Sequence, residues 1–119
     1  LDYYNKIYYA DEAWYNLGRC LFELGQFTEA GNAYKILIKK YKKSKLEKLA
    51  LVEYAKCYKE KGDFKSAAIL FLKVLKKYPI SEIVELVDLQ MQDILNKFPE
   101  SKYYLKIKEK YTKLLKKIK

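Results

Sequence analysis

Two thiols, Cys20 and Cys57, and a row of carboxylates, Glu82, Glu85 and Asp88, stand out in these 119 residues as groups that could ligate a metal, attack a carbonyl or move a proton. Neither set is completed by other residues. The chain has no histidine, which removes Ser-His-Asp and Cys-His catalytic sets, His-ligated zinc and the commonest general base near neutral pH. Two thiols alone fall short of the four ligands of a structural zinc site. The carboxylates follow the polar side of one amphipathic helix, where solvation explains them without paired-carboxylate catalysis. There is no phosphate-cradling loop and no nucleophile elbow. The expectation is a protein that is not an enzyme and uses no metal or cofactor.

A clearer spacing belongs to residues with little reactivity of their own. Cys20, Gly25, Phe27, Ala30 and Tyr41 recur 37 positions later as Cys57, Gly62, Phe64, Ala67 and Tyr78. A supersecondary unit copied along a chain cannot bury its apolar face alone, so it stacks on its neighbour and leaves an extended groove as its working surface. Cys20 and Cys57 then occupy the same place on the inner side of successive helices. Packed helix axes lie about 8–10 Å apart, whereas bridged Cα atoms lie within about 7 Å, so the two are expected as buried free thiols without a disulfide.

The apolar period is helical almost throughout, with only two prolines, both late, and the chain reads as all-α with about six helices. The spacing predicts a first helix over 8–24, with Ala13, Leu17, Cys20, Leu21 and Leu24 inward and Gly25 as its stop. A second runs from about Thr28 to Lys42, with Ala30, Ala33, Tyr34, Leu37 and Tyr41 inward. Ser44 and Glu47 have capping-box spacing for a third that continues to Lys61. Gly62 stops it, and Asp63 caps a fourth that ends near Tyr78-Pro79. Ser81 is placed to cap a fifth, lined by Ile83, Val87, Met91, Ile94 and Phe98 and broken by Pro99. Ser101 starts a sixth, with Tyr104, Ile107, Tyr111, Leu114 and Ile118 on one face. Its other face carries Lys102, Lys106, Lys110, Lys113 and Lys117, as suits the terminal cap of a stack. Leu1, Tyr3, Tyr4 and Ile7 fit either an extension of the first helix or part of a preceding one.

One domain over 1–119 suits this length and a hydrophobic content of 50%. It divides into a leading segment (1–11), a first copy (12–42), a second (43–79) and a degenerate capping pair (80–119). The net charge of +10 splits as +1 over 1–42, +6 over 43–79 and +3 over 80–119. Such an excess brings nucleic acid or an anionic membrane surface into consideration. No apolar run approaches the roughly 20 residues of a membrane-spanning helix. The chain starts at Leu1 rather than Met, as a processed or excised chain would, so membrane association is expected only through an anchor outside it.

Trp14-x-x-Leu17-Gly18, then Gly25, Phe27, Ala30 and Tyr34, resembles the tetratricopeptide repeat, whose phrase is W-x-x-L-G-x-x-Y, then A-x-x-x-F, then P. The second copy reads Leu51-x-x-Tyr54-Ala55-x-x-Tyr58, Ala67-x-x-x-Phe71 and Pro79. The first copy has Leu21 at the aromatic position and Lys42 for Pro; the second has Leu51 for Trp and Ala55 for Gly. The resemblance covers 12–79 and implies an α-solenoid of stacked antiparallel helix pairs. Gly18, Ala55, Ala30 and Ala67 must then be small where helices cross. Tyr78-Pro79-Ile80-Ser81 and Phe98-Pro99-Glu100-Ser101 also resemble the punctuation of repeats in bacterial envelope proteins, which implies the cell envelope or periplasm, with the cytoplasm as the alternative.

In the resembled family the working surface is concave and lined by the first helix of each pair. Carried over by position, it presents Glu12, Tyr15, Asn16, Arg19, Phe22 and Glu23 from the first copy and Leu49, Val52, Glu53, Lys56 and Lys59 from the second. The resemblance implies an interaction scaffold that holds an extended or helical segment of another protein. The Lys and Asn clamp that members use for chaperone C-termini is largely replaced here, by Tyr15, Arg19 and Glu53, so chaperone-tail binding is not expected. Binding of nucleic acid or anionic membrane through Lys-rich faces is the runner-up. It is disfavoured because Tyr34, Tyr41, Tyr54, Tyr58, Tyr78, Tyr104 and Tyr111 fall on inward positions, where the ring fills a core rather than stacking on bases. Tyr3, Tyr4, Tyr8 and Tyr9 form a separate cluster, expected to pack on a preceding segment or on a partner. The oligomeric state does not follow from the sequence.

Overall fold

A computed structural model describes residues 10–118. The Tyr3, Tyr4, Tyr8 and Tyr9 cluster and most of the leading segment lie outside the described residues. Six helices follow in antiparallel succession: α1 (Ala10–Glu23), α2 (Phe27–Lys40), α3 (Glu47–Glu60), α4 (Phe64–Lys77), α5 (Ser81–Lys97) and α6 (Lys102–Ile118). Each packs on the next, α3 also meets α5, and α4 also meets α6. No strand occurs among the described residues, so the architecture is the all-α stack that the repeat requires.

The turns inside the two copies are built alike. Gly25 and Gly62 take φ of 78° and 86°, the left-handed conformation that costs a residue with a Cβ about 1–2 kcal/mol. That backbone lets Gly25 N–H donate to Phe22 O and Gln26 N–H to Leu21 O, each at 2.9 Å, so the last carbonyls of α1 find donors. Gly62 to Lys59 and Asp63 to Tyr58 repeat the pattern at 3.0 and 2.9 Å. Asp63 caps α4 by accepting from Ser66 N–H at 3.2 Å.

Small residues sit where helices cross. Ala30, Ala55 and Ala67 are fully buried, and Gly18 lies so close to the Tyr34 ring that a Cβ built there would stand 2.6 Å from Cε1 and Cζ. Two apolar cores result. Ala30, Tyr34, Leu37, Ala50 and Cys57 form the smaller one across α1 to α3. The larger runs from Val52 and Ala55 of α3 through α4 and α5 to Tyr104, Ile107 and Tyr111 of α6. Tyr41, Tyr54, Tyr58 and Tyr78 are half-buried, and all but Tyr41 pack against these cores.

Three local expectations are corrected. Ser44 and Glu47 form no capping box: the Ser44 hydroxyl donates to Asp11 Oδ2 at 2.5 Å and accepts from Leu46 N–H at 3.0 Å. Glu47 turns inward, where its carboxylate accepts from Lys77 Nζ at 2.7 Å and from the Tyr78 hydroxyl. Ser81 is the first residue of α5 rather than its cap, with the extended Ile80 before it making no side-chain bond. The inward side of α1 is rotated from the expected one: Ala10 and Gly18 are buried, whereas Ala13 and Cys20 are exposed and Leu17 and Leu24 are 44% and 70% exposed.

The last correction splits the two thiols, which are both free, Cys57 buried and Cys20 exposed. Cys57 is covered by α2, with Gly31 close enough that a Cβ there would stand 3.7 Å from the Cys57 Cβ. No described helix precedes α1 to do the same for Cys20. Burial, and then the Glu53 carboxylate, push the Cys57 thiol from 9.0 up to about 12. Its folded value lies above its unfolded one, so the stability it contributes is complete below pH 9.0 and is lost as the pH climbs toward about 12. Thermal melts across this window should fall more steeply for wild type than for Cys57→Ala. Parallel curves would remove the thiol from the account of alkaline unfolding.

Candidate functional site

Side chains of the first helices of the two copies, α1 and α3, meet at the junction between the copies. Tyr15 sets its ring against the buried Tyr34 of α2 at 5.8 Å, edge to face. Phe22, one helical turn beyond Arg19, meets Phe27 at 5.0 Å in the same manner. Across the junction, Lys56 of α3 places its ammonium 5.4 Å from the Phe22 ring centre, a cation–π distance, while keeping Glu53 at 3.4 Å. Glu53 in turn acts on α1 and α2. The Tyr15 hydroxyl is held above the usual phenolic range by burial first and by Glu53 second, with the Arg19 guanidinium pulling the other way. Tyr34 is raised by burial first and Glu53 second, with smaller contributions from Tyr15 and Cys57 and Arg19 opposing.

Tyr15, Phe22, Glu53 and Lys56 are each half-buried, fixed on one side by these contacts and open on the other, and Arg19 is exposed beside them. Half-buried aromatics next to oriented charges can provide apolar anchorage and can hold a carboxylate or carbonyl in a set direction. Glu12, Asn16 and Glu23 are exposed on α1, and Leu49 is half-buried against the larger core. Val52 is withdrawn from the expected surface: it is 2% exposed and belongs to the larger core. Its register position faces inward because α4 closes over α3 there. Lys59 is occupied by its own chain, 2.6 Å from Asp93 Oδ2 and 2.8 Å from Gln90 Oε1. Lys59 holds the Asp93 carboxyl below its ordinary range through that hydrogen bond.

A family model described as tetratricopeptide repeat matches residues 12–44 and 49–79, more than half of the 119 residues. The chain belongs to the tetratricopeptide repeat family. Repeats of this family generally mediate protein–protein interaction, and the family is a non-enzymatic one. A search of curated proteins returned no match.

Three residues that hold side chains of this tetratricopeptide surface come from outside the first helices of the two copies. Tyr34 reaches Tyr15 from the second helix of its pair, and Gln90 and Asp93 reach Lys59 from α5. Tyr34 carried a signal, since a ring that fills the hole beside Gly18 must pass close to α1. Gln90 and Asp93 carried none, because the third pair lacks the small residues that fix the register elsewhere. Among the described residues no group of three Cys, Asp or Glu side chains has metal-site geometry, and no helix is long and apolar enough to cross a membrane.

Proposed function

We propose that the face built by Tyr15, Arg19 and Phe22 of α1 with Glu53 and Lys56 of α3 is a groove that holds an extended or helical segment of a partner protein. The convergence of two half-buried aromatics and three charges from successive repeats carries this reading. Core packing accounts for only one side of each of these aromatic rings. Apolar anchors supply area, and Arg19 with the Glu53–Lys56 pair supplies direction. Glu12, Asn16, Glu23 and Leu49 extend the face at its rim. The reading places this work in a bacterial cell envelope, supported by the aromatic-Pro-x-Ser phrases at 78–81 and 98–101. Fractionation of the native cell checks it.

Peptides selected on the wild-type protein from a random display library are expected to lose about tenfold or more in affinity for a Tyr15→Ala/Arg19→Ala/Phe22→Ala variant. A thermal melt of that variant keeps loss of the groove separate from loss of the fold. Affinity should change modestly with salt. A steep salt dependence that survives the triple substitution would instead assign binding to the lysine-rich faces, through nucleic acid or anionic lipid.

A further inference from the structure

Away from that groove, α4 and α6 pack side by side and leave a hollow of about 310 Å³ between them. Leu72 and Leu114 supply its apolar lining, and Lys76, Lys110, Lys113 and Lys117 complete the wall. It continues past Lys76 and Lys117 into a second hollow of about 340 Å³, where Ile118 extends the apolar floor. No carboxylate lines either hollow, and none of the four lysines pairs with an acid within 4.0 Å among the described residues. Elsewhere in the molecule Lys56, Lys59 and Lys77 do find carboxylates.

Like charges gathered around an apolar depression repel one another at short range, and a ligand that supplies carboxylates turns that cost into attraction. The recessed floor decides which anion fits. Leu72 is only 9% exposed whereas the four lysines are exposed, so a planar lipid surface would meet the lysines and leave the leucine wet. Phosphate groups of a nucleic acid would have no use for the floor. A polypeptide can satisfy both parts at once, because one side chain can be apolar while its neighbours are acidic. We propose that this trench between α4 and α6 is a second interaction site that takes a short acidic segment of another protein. One apolar side chain of that segment sits on Leu72, Leu114 and Ile118, and its carboxylates meet Lys76, Lys110, Lys113 and Lys117.

The test uses a fluorescein-labelled hexapeptide, Glu-Asp-Leu-Phe-Glu-Asp, read by anisotropy at low and moderate salt. The control peptides replace the two apolar residues by serine or all four acids by lysine. Wild type should bind the acidic apolar peptide about tenfold tighter than the serine control and should not bind the lysine control. Lys76→Glu/Lys113→Glu/Lys117→Glu should weaken binding by about tenfold or more with the thermal melt unchanged, since all three side chains are exposed. The Tyr15→Ala/Arg19→Ala/Phe22→Ala variant should bind this peptide as wild type does, which separates the trench from the groove. Equal affinity for the serine control, or retained affinity in the charge-reversed variant, overturns the proposal. So does the finding that anionic phosphatidylserine vesicles or duplex DNA, and not the peptide, bind in a manner the charge reversal abolishes.

Discussion

Replacing Gly18 by alanine should destabilise the protein by about 1–3 kcal/mol, and replacing Gly31 by alanine should stabilise it by about 0.5–1 kcal/mol. Both glycines are buried inside helices, so propensity alone favours alanine at each. The space around them differs. At Gly18 the new methyl would stand 2.6 Å from two atoms of the Tyr34 ring, and that ring is fully buried and flanked by Tyr15, so it cannot swing aside. At Gly31 the new methyl would meet the Cys57 Cβ at 3.7 Å and the Tyr54 ring at 3.8 Å, ordinary van der Waals contact. Urea unfolding of the two variants beside wild type gives both values. Shifts in the same direction would mean that α1 and α2 do not cross at Gly18.

A second large effect is expected at the inward-facing carboxylate of α3. Glu47 is 2% exposed and is held by Lys77 and by the Tyr78 hydroxyl, both at the end of α4. Removing the partners while leaving the charge buried is the costly change, so Lys77→Met/Tyr78→Phe should lose about 3 kcal/mol or more. Adding Glu47→Met to that pair should recover most of the loss, because an apolar side chain of similar length needs no partners there. The ion pair raises the Lys77 ammonium above its ordinary range, first through the hydrogen bond to Glu47. Its other side is open to water, which discounts the share it carries relative to Tyr78. Urea midpoints for the double and triple variants decide the matter, and a triple variant no more stable than the double would show that the carboxylate is needed where it lies.

What the sequence made legible and what it hid divide along the range of the interactions involved. The apolar lines of α5 and α6, the glycine stops and the Asp63 cap depend on neighbours three to five residues away, and they are found where the spacing puts them. The Ser44–Glu47 spacing depended on the same local rule and failed, because Asp11 and Tyr78, each more than 30 residues distant, bind those side chains instead. In α1 the period shows an apolar stripe through Ala13, Leu17, Cys20 and Leu24, but period cannot say what covers a stripe. The repeat phrase put Tyr15, Arg19, Phe22, Glu53 and Lys56 on the first helices of the copies, where they are half-buried or exposed. It could not foresee that Val52 would be taken by the core, or Lys59 by Asp93 and Gln90, since both depend on how α4 and α5 close on α3.

The uneven division of the apolar interior bears on how the chain is made. Of the described helices α1 and α2 are translated before the rest, and the cluster they share is the smaller one, completed only by Ala50 and Cys57 of α3. The larger cluster closes with Tyr104, Ile107 and Tyr111 of α6, which are translated after the rest of that cluster. During synthesis α3, α4 and α5 therefore emerge before α6 can complete their core, and a chaperone that meets them then would see helices still waiting for a partner.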